Sequence, residues 1–180
     1  MKNDVFLKSS IINDDIDKQN IIIKWIKEKL NKTSIKFELI FKMSEYGPDP
    51  INFHKFCDNK GPTLVLVKTK NNKLFGGFTP LNWRSEGRYL SDESNQTFIF
   101  SLNLMKKYDM INNQKAIFCD RRGPCFGDQD IDLGFNMKKG VSYAGEGSSF
   151  LSNNNLELTG GKGSSENFET KEFEIFKVLY

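Results

Sequence analysis

A chain of 180 residues has the length of one domain and enough residues to bury a sizeable core. Sixteen phenylalanines and an aromatic content of 13% indicate a phenylalanine-rich interior, which a disordered chain would lack. The net charge of +3 is small and the lysines are scattered among acids, so the composition does not demand a nucleic-acid partner.

Cysteine content and hydropathy predict the compartment. Three cysteines, an odd number, do not form a closed disulfide set, and the first residues lack the basic and apolar regions of a signal peptide. No apolar run approaches the roughly 20 residues that a bilayer crossing needs. We therefore expect a reduced, cytoplasmic protein without a transmembrane segment.

The first predicted element is an amphipathic helix within residues 9–31. The polar cluster Asn13-Asp14-Asp15 offers side chains that cap free N–H groups at a helix start. The apolar residues at helical spacing are Ile16, Ile22, Ile23, Trp25, Ile26 and Leu30, and the opposite face holds Lys18, Lys24, Lys27 and Glu28. We expect residues 1–31 to pack on the core formed by residues 32–180. The alternative is a helix on a membrane surface, whose polar face would be more uniformly basic.

A half-buried strand is predicted over residues 35–43, where apolar and polar residues alternate. A turn rich in glycine and proline follows over residues 44–50. Phe53, Phe56 and Cys57 are three to four residues apart and would line one face of a short helix. This first part of the chain therefore predicts a strand, a turn and a helix.

A β-hairpin is the central predicted element. Gly61-Pro62 ends the preceding helix, because proline cannot continue it. Residues 63–67 are β-branched and apolar, as expected of a strand covered on both faces. Residues 70–73 form a turn, and residues 74–78 pair back. Within them, Gly76-Gly77 predicts a bulge or the close approach of a ring or backbone, and a ligand-binding glycine loop is the alternative.

The second half of the chain is interpreted as short strands separated by turns. The predicted strands cover residues 95–104, 115–119, 131–135 and 168–180, and the predicted loops cover residues 82–93, 106–113, 123–127 and 153–163. Alternation slips once in the last strand, which suggests a bulge. Together these elements predict an α+β, mainly β fold: a two-layer antiparallel β-sandwich flanked by a few helices.

Candidate chemistry is sparse. His54, the single histidine, precedes Cys57 by one helical turn, so a Cys-His nucleophile pair competes with a packed histidine. His54, Cys57, Cys119 and Cys125 have the ligand types for zinc, but their spacing matches no finger pattern. We therefore expect no metal site from these residues.

Two further motifs fail their templates. The calcium-like run from Asp128 to Asp132 has Leu133 and Lys139 where an EF-hand has glycine and glutamate. Residues 160–165 imitate a phosphate loop, but Lys162 is followed by glycine. We interpret both as surface turns and expect no cofactor.

Several motifs, in their order and spacing, resemble the TLDc domain of oxidation-resistance proteins. They are Phe53-His54, Cys57-Asp58, Lys60-Gly61-Pro62-Thr63-Leu64, Phe75-Gly76-Gly77-Phe78-Thr79, Trp83, Asp92, Phe98-Ile99-Phe100-Ser101-Leu102 and the closing Glu172-x-Glu174-x-Phe176. The resemblance implies a β-sandwich, a role in oxidative-stress resistance and, in several members, association with the vacuolar proton ATPase. The chain departs from the family where Arg121-Arg122-Gly123-Pro124-Cys125 replaces a glycine-rich run, so the role of those glycines is not carried over.

Two functions follow as hypotheses. The first is a non-catalytic interaction module, with protein partners that include subunits of the vacuolar ATPase. Its candidate contact residues are Trp83, Arg84, Tyr89, Arg121 and Arg122, and also Glu172 and Glu174 if they face outward. For Trp83 the alternative is loop packing. The residues expected to shape the scaffold are Gly61, Pro62, Gly76, Gly77, Gly123, Pro124 and Gly127.

The second hypothesis is direct peroxide chemistry at Cys57, Cys119 or Cys125. We expect Cys125 to be the most exposed thiol, because proline and glycines flank it in a corner. Arg121 and Arg122 would supply the positive charge that lowers a thiol pKa.

Overall fold

The computed structural model describes residues 6–13, 15–144, 149–150, 158 and 166–180, without the side chains of residues 135, 141, 143 and 166. Its helices are α1 (Ile16–Leu30), α2 (Met43–Tyr46) and α3 (Pro50–Cys57). Its strands are β1 (Lys36–Lys42), β2 (Thr63–Thr69), β3 (Leu74–Thr79), β4 (Arg88–Leu90), β5 (Phe98–Ser101), β6 (Lys106–Asp109), β7 (Ile117–Cys119), β8 (Cys125–Phe126), β9 (Ile131–Asn136), β10 (Val141–Ala144) and β11 (Glu166–Leu179). Short 3-10 turns cover Asn113–Lys115 and Met137–Lys139.

The longest strand, β11, belongs to both sheets. Its first residues pair with β10 and extend the sheet β4-β7-β8-β9-β10. From Thr170 onward it pairs with β2, and β1 joins its other side, which builds the sheet β1-β11-β2-β3-β5-β6. The pairings between these strands are antiparallel. The prediction of an α+β, mainly β fold with antiparallel sheets is confirmed.

Phenylalanines fill the core shared by the two sheets. Phe173 stacks on Phe41 with ring centroids 5.2 Å apart, and Phe75 meets Phe168 edge-on at 5.3 Å. Trp83 makes edge contacts with Phe53 at 5.8 Å and Phe126 at 5.5 Å. Each such ring contributes roughly 1.5–3 kcal/mol by leaving water. The phenylalanine-rich composition therefore reflects the packing of this interior.

Helix α1 covers the outer face of the larger sheet. Asp15 caps the helix by accepting a hydrogen bond from the Lys18 N–H at 3.1 Å. The Trp25 ring packs on Phe98 and Phe100, with centroids 6.4 and 5.9 Å away. This second apolar cluster lies on the opposite side of the sheet from the inter-sheet core, so strand β2 is covered on both faces, as its sequence indicates.

The paired glycines of β3 lie under a ring and a carbonyl. Strands β2 and β3 pair without a register shift, so the hairpin has no bulge there. A Cβ atom on Gly77 would lie 2.7 Å from the Phe126 ring, and one on Gly76 would lie 1.9 Å from the Val65 carbonyl oxygen. Of the two predicted structures for Gly76-Gly77, the close approach of a ring and a backbone group is therefore correct, and the bulge is not.

The last strand does not slip where its sequence suggested. Phe173 and Ile175 enter the inter-sheet core, while Phe176 and Val178 face α1, so alternation is unbroken. The register shift against β2 comes earlier, between Thr170 and Glu172. The sequence was misleading because both faces of β11 are apolar at this point.

Three predicted loops contain short strands, and in residues 123–127 the strand is β8. Residues 82–93 include β4, and residues 106–113 include β6, each at one end of its sheet. The predicted loop 153–163 and the sequence 160–165 lie outside the described residues, apart from Leu158. Among the helices described, none has the length and apolar character to span a bilayer.

Candidate functional site

Two adjoining clefts meet at Arg121, and we call them together the Arg121 groove. The first, of about 440 Å³, is lined by Asp49, Pro50, Ile51, His54, Ser85, Arg121 and Lys138. The second, of about 400 Å³, is lined by Ser85, Glu86, Gly87, Asp120, Arg121 and Arg122. Four segments build the groove: α3, the connection from β3 to β4, the turn from β7 to β8, and the 3-10 turn after β9.

The start of α3 forms one wall of the groove. Asp49 caps the helix by accepting a hydrogen bond from the Ile51 N–H at 3.1 Å, and Pro50 occupies the first turn, where no N–H is needed. Lys138 reaches Asp49 from the opposite wall, with Nζ and Oδ2 3.2 Å apart. The Ile51 N–H and the Lys138 ammonium lower the pKa of Asp49. The two walls are therefore connected through this carboxylate.

His54 lies in a cluster with Asp58 and Ser85 that resembles catalytic groups but lacks their geometry. His54 Nδ1 is 2.9 Å from Asp58 Oδ1 and 3.0 Å from Ser85 Oγ. Ser85 Oγ also donates to Asp58 Oδ2 at 3.2 Å. A serine nucleophile needs the acid on one ring nitrogen and the hydroxyl on the other. Here both contact Nδ1, while Nε2 is buried without a hydrogen-bond partner among the described residues. The cluster therefore ties the Ser85 loop to α3.

The three thiols are buried in the fold. Burial raises the pKa of Cys57, raises that of Cys119 to about 11, and raises that of Cys125 well above its usual value. The expectation that Cys125 is the most exposed thiol is wrong: it is 1% exposed, on strand β8, which lies between β7 and β9 in its sheet. Within the described part of the chain, no group of three or more suitable side chains is placed to hold a metal ion.

Two predicted contact residues are core residues. Trp83 is 1% exposed, and its Nε1–H donates to Thr63 Oγ at 2.9 Å, so loop packing is the correct alternative for this ring. Glu174 is also 1% exposed, and its carboxylate accepts hydrogen bonds from Ser9 and Ser10 in the segment before α1. Neither side chain therefore lies at the surface, and the condition that Glu174 faces outward is not met.

The remaining predicted contact residues lie at or near the surface. Arg121 and Arg122 line the groove, and Arg84 joins it through an ion pair of 3.3 Å with Glu86. Tyr89 lies on β4, where its ring contacts Phe118 at 4.7 Å and its hydroxyl donates to Asp128.

Arg122 and Glu172 are both held by the protein itself. Arg122 Nε lies 2.5 Å from Asp120, and its guanidinium lies 6.0 Å above the Phe118 ring. Glu172 accepts a hydrogen bond from the Ser44 N–H at 3.2 Å and does not line either cleft. Only part of the predicted contact set is thus brought together in the groove.

The corner after β7 owes its shape to two glycines. Gly127 has φ +65°, and a Cβ atom there would lie 2.0 Å from Asp130 Oδ2. Gly123 lies against Gly134, with only 3.2 Å from its built Cβ to the Gly134 Cα. The Pro124 carbonyl accepts a hydrogen bond from the Leu133 N–H at 3.0 Å. This packing fixes the turn that presents Arg121.

Other groove residues were missed in the sequence. Ile51 and Lys138 line it, and Ser85 belongs to both clefts. The Asp49-Pro50 pair is a readable helix start that could have placed Ile51 on the first turn of α3. Nothing local in the sequence marks Ser85 or Lys138, because they meet the groove only through tertiary packing.

Fold and site together define a mainly β domain with a charged surface groove and buried thiols. The family model of the TLDc domain matches residues 6–179, so the chain belongs to the TLDc domain family.

Curated relatives agree with this assignment. The chain is 25% identical over 156 residues to TBC1 domain family member 24 of Xenopus tropicalis, covering 84% of this chain and 27% of that protein. It is 28% identical over 69 residues to the MTOR-associated protein MEAK7 of Danio rerio, covering 38% and 15%. It is 27% identical over 95 residues to the GTPase-activating protein skywalker of Drosophila melanogaster, covering 48% and 16%. The chain thus spans less than a third of the length of each relative.

Proposed function

We propose that this domain is a non-catalytic interaction module that contributes to oxidative-stress resistance by binding subunits of the vacuolar proton ATPase in the cytoplasm. Membership of the TLDc family supports the stress-resistance role. The observation that carries the interaction role is the Arg121 groove, where an exposed guanidinium lies between two clefts. Arginine is among the side chains most often found as anchors in protein interfaces.

The buried thiols favour an interaction role over direct peroxide chemistry. A peroxide-reactive cysteine needs an accessible thiolate. Burial keeps all three thiols protonated at neutral pH, and the Arg122 guanidinium, whose charge favours the Cys125 thiolate, is engaged by Asp120. Three unpaired cysteines also suit a reducing compartment, which supports the cytoplasmic location.

The name of the Drosophila relative includes a GTPase-activating function, and the chain covers 16% of that protein. The proposal does not carry that activity over, because it belongs to the whole relative.

Affinity purification tests the proposal. The tagged full chain is used to capture proteins from cell lysate with and without peroxide, and ATPase subunits are measured by mass spectrometry. We expect specific recovery of these subunits. Failure to recover them from a lysate in which another TLDc protein succeeds would refute the ATPase part of the proposal.

A further inference from the structure

The ion pairs of the Arg121 groove leave Arg121 without a partner among the residues that the structure describes. Each carboxylate of the groove already has a cationic partner: Asp49 pairs with Lys138 at 3.2 Å, and Asp120 with Arg122 at 2.5 Å. Glu86 is shared by Arg84 at 3.3 Å and Arg88 at 2.5 Å. Arg121 is exposed and makes no ion pair or hydrogen bond with any residue in the described part of the chain. Among the described residues, Arg121 is therefore the groove cation that is available to an external anion.

The surroundings of Arg121 narrow the kind of anion. Lys138 lines the first cleft with its side chain 69% exposed, but Asp49 neutralises its charge, so Arg121 is the unpaired cation of this space. Ile51, on the same cleft, is 72% exposed and offers an aliphatic surface. The Ser85 hydroxyl lies where the two clefts join. This combination suits a ligand that carries a carboxylate next to an apolar group.

We propose that the Arg121 groove binds an acidic peptide segment of a partner protein. An Asp or Glu carboxylate of that segment pairs with the Arg121 guanidinium, whose fork geometry matches two carboxylate oxygens. A neighbouring aliphatic residue of the peptide contacts Ile51, and the chain continues past Ser85 into the second cleft. The inference rests on the proposed interaction function and adds the chemistry of the partner.

A peptide fits this groove better than a nucleic acid or a membrane surface does. Both of those present rows of negative charge and are bound by clusters of unpaired lysines and arginines. In the groove the neighbouring cations are already neutralised by Asp49, Glu86 and Asp120, and a single guanidinium remains. Two clefts that share Ser85 and Arg121, together with an exposed isoleucine, favour an extended segment of mixed acidic and aliphatic residues.

Selection from a random 12-residue peptide display library tests the inference. The library is panned on the folded full chain and depleted on the Arg121→Glu variant. We expect the recovered peptides to be rich in Asp and Glu with adjacent Leu, Ile or Val. Recovery of no peptides, or of peptides without acidic residues, would overturn the inference.

Affinity measurements with the most enriched peptide locate its site. We expect Arg121→Gln to weaken binding about 10- to 100-fold, the range for loss of a hydrogen-bonded charge pair. Lys24→Gln removes the same charge from the exposed face of α1 and should leave the affinity unchanged. Equal weakening in both variants, or no weakening in Arg121→Gln, contradicts the assignment. Displacement of the peptide by phosphatidylserine vesicles or by single-stranded DNA at matched charge also contradicts it.

The same variants separate this inference from the proposed function. If wild type and Arg121→Gln capture the ATPase subunits equally well from lysate, the module binds its partner elsewhere and only the groove assignment fails. If peptides are selected as expected but no subunits are captured, the groove assignment stands and the named partner is wrong.

Discussion

The buried carboxylate of Glu174 offers a sharp test of how the segment before α1 is held. Its Oε2 accepts a hydrogen bond from Ser9 Oγ at 2.6 Å, and its Oε1 accepts from the Ser10 N–H at 3.1 Å and Ser10 Oγ at 2.5 Å. Lys42 Nζ is 3.9 Å from the same carboxylate. This arrangement positions Leu7, which is fully buried in the cluster beneath α1.

Glu174→Gln is the change that isolates these bonds, because it keeps the side-chain shape. The amide oxygen can replace the carboxylate oxygen that faces Ser10, which leaves the NH₂ group facing Ser9 Oγ. That hydroxyl oxygen already lies 3.1 Å from the Ile11 N–H and 3.4 Å from the Ile12 N–H. A charge-assisted bond is lost and a donor is left poorly paired, which costs about 2–3 kcal/mol. For a chain of this length the expected fall in Tm is about 4–12 °C.

Urea unfolding and thermal melting measure this cost. Glu172→Gln is the matched control, because Glu172 is only half-buried on the same strand, and its change should cost less than about 0.5 kcal/mol. A double-mutant cycle with Ser9→Ala should give a coupling of about 1 kcal/mol or more. If Glu174→Gln unfolds within about 0.5 kcal/mol of wild type, the carboxylate does not hold the segment and the reasoning is wrong.

Three further outcomes are expected. Gly77→Ala places a Cβ 2.7 Å from the Phe126 ring and should destabilise the domain by about 1–3 kcal/mol in urea unfolding; an unchanged midpoint would contradict this contact. Ser85→Ala removes the hydroxyl that joins His54 and Asp58 and should cost about 1 kcal/mol, whereas loss of a hydrolytic activity without loss of stability would instead make the cluster catalytic. Burial raises the pKa of Cys119 from 9.0 to about 11, so its thiolate fraction at pH 8 falls about 100-fold. Its reaction with a disulfide reagent should therefore accelerate as the pH rises toward 11. Fast labelling of all three thiols in the folded protein at pH 8 would contradict their burial.

Local sequence patterns predicted the central hairpin well. The apolar run of β2 is buried on both faces, and Gly76-Gly77 marks a close approach of ring and backbone. An apolar strand must be covered on both faces, and paired glycines in a strand mark a place where another group lies close. Both features can therefore be predicted from local sequence.

Surface exposure was less predictable than strand position. Cys125 follows proline and precedes a glycine two residues on, a pattern typical of an exposed corner, yet it is buried on a strand that lies between two others. Trp83 lies in a polar segment, but the rings of Phe53 and Phe126 enclose it. Burial of this kind depends on residues that are distant in sequence and become neighbours only in the fold. It therefore cannot be predicted from the local sequence.

The groove itself could be predicted only in fragments. Arg121 and Arg122 were candidates because arginines in turns are common interface anchors. Their location beside Ile51 and Lys138 depends on how the 3-10 turn after β9 packs against α3, where Lys138 reaches Asp49. No spacing rule links these segments.

The place of β11 also bears on the order in which the protein can assemble. During synthesis, β1 emerges long before its partner, since Lys36 pairs with Leu179 and Lys42 with Glu174. Strands β2 and β10 likewise have one unpaired edge until β11 has been synthesised. Neither half of the sandwich has its joining strand until the ribosome has passed residue 179, so we infer that the unfinished chain leaves apolar strand edges open to chaperones or aggregation. A stop codon anywhere before Glu166 would remove the one strand that both sheets share.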